Sequence, residues 1–224
     1  TPNFVHHLQR TFRNCPDVLF IDQQLEEQKQ PHALNLLPDH PKWIAPTGQP
    51  TEQQQEALGQ LLSAENGIWG LIAPRGRGKS TVAGMLIKAW KGVCWCCAPA
   101  KVTTGVMAEY AQHELEFWAP DVLLRYCQSG QQINADWLII DEAAAIPSHI
   151  LRQIIAFFPR VLMTTTVEGY EGTGRGFMMK FCDSLENFTS LSLTQPIRFA
   201  EHDPLERVIN HSLLLESAIS TKAV

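Results

Sequence analysis

Residues 73–85 read APRGRGKSTVAGM, and the fold turns on how this stretch is read. Before it stands IWGLIA (68–73), a short apolar run that predicts a strand. After it stands STVAGMLIKAWK (80–91), whose composition predicts a helix. The junction APRGRGKS follows the pattern of a phosphate-binding loop, with Ala73 where the first Gly of the pattern usually sits. Gly76 and Gly78 permit backbone dihedrals that turn several N–H groups toward one anion, and the helix start adds its positive end. Pro74, Arg75, Gly76, Arg77, Gly78, Lys79, Ser80 and Thr81 are therefore the expected nucleotide-binding run. Lys79 is expected to reach the outer phosphates and Ser80 to give its hydroxyl to Mg²⁺, so ATP or GTP with Mg²⁺ is the expected ligand. The bland alternative is a Gly-rich turn that happens to contain a lysine.

A second stretch supplies what such a loop needs. WLIIDEAA (137–144) is an apolar strand ending in two acids, roughly sixty residues after Ser80. Asp141 is expected on the metal, and Glu142 is expected to orient the attacking water. An acid that merely caps the next helix is the alternative. RVLMTTT (160–166) is the next predicted strand, where Thr164 and Thr165 are candidates for sensing the outer phosphate, against ordinary β-branched strand filling. Arg175, in the Gly-rich EGYEGTGRGF, and Arg198, in TQPIRF, are candidate arginine fingers, with a solvated arginine the alternative for each. Gln54, about twenty-five residues before Lys79, is the best placed of three successive Gln to read the adenine edge. Lys101, Thr103 and Thr104, after the Ala98-Pro99 break, are candidates for a nucleic-acid backbone, or simply a helix cap.

Around these motifs strands and helices alternate. Helices are predicted over 51–64, 80–91, 102–118 (ended by Pro120), 148–158 and 203–218. Strands are predicted over 68–73, 92–99, 137–141, 160–166 and 188–193, with a further short one at DVLFID (17–22). Near-continuous apolar strands imply helices on both faces of a mostly parallel sheet, an α/β fold of the RecA-like P-loop NTPase kind. Residues 1–50 are expected to be an extension and connector closing a preceding domain, 51–218 the ATPase domain, and 219–224 a tail. The chain has 224 residues, 45% of them hydrophobic and 18% charged, and a net charge of −5, so composition alone does not point to nucleic acid. No apolar run is long enough for a membrane span. The six cysteines lack paired CxxC spacing, and GVCWCCAP (92–99) reads as a buried strand in a reducing, cytoplasmic setting. The start at Thr1, with no Met and no signal segment, suggests a chain that begins inside a longer protein.

Taken together, APRGRGKS, WLIIDEAAAIP, VLMTTTVEGYEGTGRGF and PIRFAEHDPLERVIN resemble the helicase-like ATPase module of bacterial tRNA(Met) cytidine acetyltransferases, over roughly residues 45–215. DEAAAIP and TTTVEGYEGTGRGF are the specific parts, since generic P-loop ATPases lack them. A looser likeness to RecD-type helicases rests on Gln54, Ala98-Pro99 and the two nucleotide motifs. The resemblance implies a longer enzyme that acetylates the wobble cytidine of elongator tRNA(Met) with acetyl-CoA; separately, a monomer is expected. ATP or GTP hydrolysis in this module would help reshape the anticodon region. Acetyl-CoA chemistry would belong to a domain outside these residues.

Two other readings stay open: a stand-alone remodelling motor, which two missing features disfavour (a second lobe and its arginine), and a nucleotide-binding scaffold that leaves Glu142 unused. Lys79→Ala is expected to abolish nucleotide binding with little loss of stability, because the motif reads as an exposed loop.

Overall fold

The computed structural model describes residues 2–15, 18, 48–166, 180–197 and 203–212. Its packing separates two compact units: the helices Pro2–Asn14 (α1) and Pro204–Ser212 lie in one, and residues 48–166 and 180–197 in the other. In the first unit α1 packs against the helix 204–212, with the rings of His7 and His211 at 6.4 Å.

The second unit is built on a parallel sheet. Its strands are Gly67–Ala73 (β1), Cys94–Cys97 (β2), Glu116–Trp118 (β3), Trp137–Ile140 (β4), Arg160–Thr166 (β5) and Phe188–Leu191 (β6). The spatial order is β3-β2-β4-β5-β1-β6, and every recorded pairing is parallel. Helices Glu52–Leu62 (α2), Lys79–Ala89 (α3), Gly105–Ala111 (α4), Pro120–Gln128 (α5) and Ser148–Ile155 (α6) cover it.

β4 shows why the strands are apolar throughout. All four of its residues are buried, because both faces of the sheet are covered. Leu138 and Ile140 join a cluster with Leu123 of α5 and Leu151 and Ile154 of α6. Trp137 and Ile139 join the opposite cluster, with Leu61 of α2, Val82 and Leu86 of α3 and Met107 of α4. The cysteine strand β2 divides the same way, Cys97 to the first cluster and Cys96 to the second. Burial pushes the thiols of Cys94, Cys96 and Cys97 up to about 12, which suits them as small apolar filling.

The expected helix over 102–118 is wrong, and the reason is local. A 3₁₀ turn at Lys101–Thr104 leads into α4, which stops when Gln112 turns left-handed at φ 58°. Phe117 and Trp118 then pair with Cys96 and Cys97 as the edge strand β3. Pro120 does not end a helix; it opens α5 in the first turn, where its missing N–H would have had no partner. The other sheet-unit elements lie within a few residues of the expected spans. Of DVLFID (17–22), all but Val18 is outside the described residues, as is the 213–218 end of the last predicted helix.

Candidate nucleotide site

β1 delivers the phosphate loop at its carboxyl end, and α3 carries the chain away from it. Gly76 and Gly78 both take left-handed dihedrals, φ 75° and 81°. At Gly78 a side chain is also barred by space: an added Cβ would lie 2.1 Å from Gln54 Nε2. Gln54 is buried, its Nε2 donates to the Gly78 carbonyl at 3.3 Å, and its Oε1 accepts from Thr51 N at 2.9 Å as half of a capping box. It therefore touches the loop from the start of α2.

Lys79 is not on an exposed surface, contrary to the expectation drawn from its loop. It is 7% exposed, and its ammonium donates to the carbonyls of Ala73 and Pro74 at 2.9 and 3.0 Å. Arg75 is exposed, Arg77 is half-buried and donates to the Arg75 carbonyl at 3.2 Å, and Thr81 is buried in the first turn of α3.

β4 is separated from β1 by β5 alone, and that strand completes the site. Asp141 follows β4 and is 2% exposed. Its Oδ1 accepts from Ser80 Oγ at 3.4 Å and makes a short hydrogen bond with Thr164 Oγ1. Burial raises the Asp141 pKa; the Thr164 and Ser80 hydroxyls and the nearby Lys79 ammonium work against that, and Glu142 adds to it. Glu142 sits at φ 51°, an unusual conformation for a residue with a side chain, and its Oε1 accepts from Thr166 Oγ1 at 3.3 Å.

The structure thus brings Gln54, the loop, Lys79, Ser80, Asp141 and Glu142 to one end of one sheet. It does not add Thr165: the Thr165 hydroxyl is buried and has no hydrogen-bond partner among the described residues. Its neighbours Thr164 and Thr166 reach the two acids instead, because residues two apart share one face of a strand. Thr166 is the residue that sequence reasoning missed, and that period of two was the signal for it. Thr103 and Thr104 hydroxyls bond locally to the carbonyls of Ala100 and Lys101, at 2.7 and 2.8 Å. Arg175 and Arg198 lie outside the described residues.

The residues present fit a magnesium nucleotide. Two glycines take the left-handed dihedrals that a phosphate-cradling turn needs, a cation already folds over the loop, and a hydroxyl and a buried carboxylate stand together as hard oxygen donors. Among the described residues no cluster of three or more His, Cys, Asp or Glu forms a separate metal site. No described helix is long and apolar enough to cross a membrane.

A parallel sheet opening into such a loop, with acids at the tip of a strand two places away, defines a RecA-like P-loop fold. A profile of RNA cytidine acetyltransferase NAT10/TcmA, helicase domain, matches residues 70–216, and the chain belongs to that family. It is 50% identical over 228 residues to the tRNA(Met) cytidine acetyltransferase TmcA of Photorhabdus asymbiotica, covering 100% of this chain and 33% of that protein. It is also 50% identical over 219 residues to the protein of the same name from Yersinia pestis, covering 98% and 31%. The chain thus spans about a third of the length of these relatives. It is also similar to a Pif1 helicase from Bacteroides in complex with ADP-AlF3 and ssDNA, with 18% identity, a TM-score of 0.48, and 75% of this chain and 47% of that one covered.

Proposed function

We propose that this chain is the ATP-binding and ATP-hydrolysing module of a tRNA(Met) cytidine acetyltransferase. The observation that carries the reading is Asp141 Oδ1, which accepts from Ser80 of the phosphate loop and from Thr164 of the intervening strand. Three segments distant in sequence converge on one buried carboxylate: the β4–β5 register brings Thr164 beside Asp141, and the loop after β1 brings Ser80. When bound, Mg·ATP or Mg·GTP supplies a phosphoanhydride bond whose hydrolysis releases free energy. Lys79 and the loop amides of residues 75–80 would hold the phosphates, and Ser80 and Asp141 the metal. Gln54, which donates to the Gly78 carbonyl, would meet the base. Glu142, aimed by Thr166, would take the proton of the attacking water. Arg175 or Arg198 is proposed to steady charge on the transferred phosphoryl group, and Thr164, bonded to Asp141, to sense it. In the whole enzyme, working as a cytoplasmic monomer, this turnover would help expose the wobble cytidine of elongator tRNA(Met). Unstacking a base costs a few kcal/mol. Acetyl transfer from acetyl-CoA would occur elsewhere in that enzyme.

Turnover of wild type against Glu142→Gln, each with and without tRNA, tests the reading. The expected result is tight Mg·ATP binding by both and at least about a hundredfold slower hydrolysis by the variant. Equal slow rates with retained binding would establish a scaffold instead.

A further inference from the structure

The run Gln53-Gln54-Gln55 opens α2, and Gln54 alone has been given a task. Gln53 reaches 141 residues along the chain to the segment that follows β6. Its Oε1 accepts from the backbone amides of Thr194 and Gln195 at 2.9 and 3.1 Å, and its Nε2 donates to Thr194 Oγ1 at 2.9 Å. A chain leaving an edge strand has amides with no ladder partner, and one side-chain oxygen here satisfies two of them. Three residues on, the same segment meets the phosphate loop. Ile197 N donates to the Gly76 carbonyl at 3.0 Å, and a Cβ placed on Gly78 would lie 3.2 Å from Ile197 Cδ1. The loop is therefore gripped twice from the same turn of α2, directly by Gln54 and through residues 194–197 by Gln53.

We propose that Gln53 is a positioning residue that holds residues 194–197 so that Ile197 grips the phosphate loop, linking the loop's conformation to the chain that leaves β6. Whatever reshapes the loop then shifts residues 194–197, and by reciprocity anything that pulls on residues 194–197 changes affinity at the loop. Only the ligand half of this inference rests on the nucleotide reading above.

The test has two arms. In ligand-free protein, amide hydrogen exchange read by NMR is expected to rise about tenfold or more at Ile197 in Gln53→Ala, although the Ile197 amide bonds to Gly76 and not to Gln53, while β4 amides keep their protection. Gln53→Glu, which keeps an acceptor for the same two amides, is expected to retain the wild-type rate. Gln53→Met, of similar shape but without the amide, stands in for Gln53→Ala if that variant fails to fold. In Mg·ATP titrations the Ala or Met variant is expected to bind roughly five- to tenfold more weakly and the Glu variant within about twofold of wild type. Unchanged exchange at Ile197 overturns the proposal. So does unchanged affinity in a variant whose Ile197 is deprotected. Wild-type protein that fails to bind Mg·ATP would overturn the proposed function, and the exchange arm alone would then decide the role of Gln53.

Discussion

The Lys79 ammonium lies between two main-chain carbonyls of its own loop, those of Ala73 and Pro74. On the proposed function the same cation would be both loop tie and phosphate ligand. Lys79→Ala is therefore expected to remove Mg·ATP binding and also to lower stability by about 1–3 kcal/mol, since two buried carbonyls lose their charged donor. Calorimetric titration and urea unfolding would read the two effects separately. Asp141 behaves in the opposite sense. Its pKa is raised in the fold, so between the ordinary carboxylate value and that raised value the folded chain holds more protons than the unfolded one. Stability contributed there falls as pH rises through the window and stays low above it. Asp141→Asn is accordingly expected to be at least as stable as wild type at neutral pH while losing Mg²⁺-dependent nucleotide binding; thermal melts at several pH values would show whether the difference narrows in acid. The thiols offer a simpler check. With Cys96 and Cys97 near 12, thiolate at pH 8 is about one part in ten thousand, and native protein should resist thiol reagents at both positions until it is unfolded.

At the scale of elements, α3 and α4 pack closely. A Cβ on Gly84 of α3 would lie 2.5 Å from the Met107 carbonyl and 2.7 Å from Tyr110 Cβ. One of those neighbours is backbone, so relief requires the helices to part. Gly84→Ala is expected to cost about 1–3 kcal/mol despite the better helix propensity of alanine, with a matching fall in melting temperature. α3 also begins at Lys79, so nucleotide affinity should fall in the same variant, whereas a surface Gly→Ala change such as Gly59, whose added Cβ meets nothing within 4 Å, should not have this effect. The 101–118 segment teaches the limit of local reading. GVMAEYAQHELEFW has enough helix-forming residues to look continuous, and what stops it is Gln112 in a left-handed turn, followed by Phe117 and Trp118 pairing with β2. The Trp118 ring then packs on that of Trp95, tilted by 34° with centroids 4.9 Å apart. That pairing is a long-range gain that no propensity sum over 102–118 contains.

At the scale of the molecule, residues 48–166 and 180–197 form a unit with a hydrophobic cluster on each face of its sheet. The described residues of the candidate nucleotide site all lie within it. A fragment spanning residues 47–197 is therefore expected to unfold cooperatively and to retain Mg·ATP binding within a few-fold of the full chain; a non-cooperative melt would show that the rest of the chain is needed for folding.

Much of this protein is written locally. The apolar runs, the glycines at positions 76 and 78 and the acids after WLII each carry their own physical consequence. Together they determine a parallel sheet, a phosphate loop between β1 and α3, and a carboxylate at a strand tip. Tertiary structure decided what depends on distance along the chain. It placed β5 between β1 and β4, so that Thr164 and Thr166, and not Thr165, meet Asp141 and Glu142. It buried Lys79, and it gave Gln53 a partner 141 residues away. The division has one cause: dihedral preference and hydrophobic period act within a few residues, whereas strand order and side-chain partners are chosen by the free energy of the packed whole.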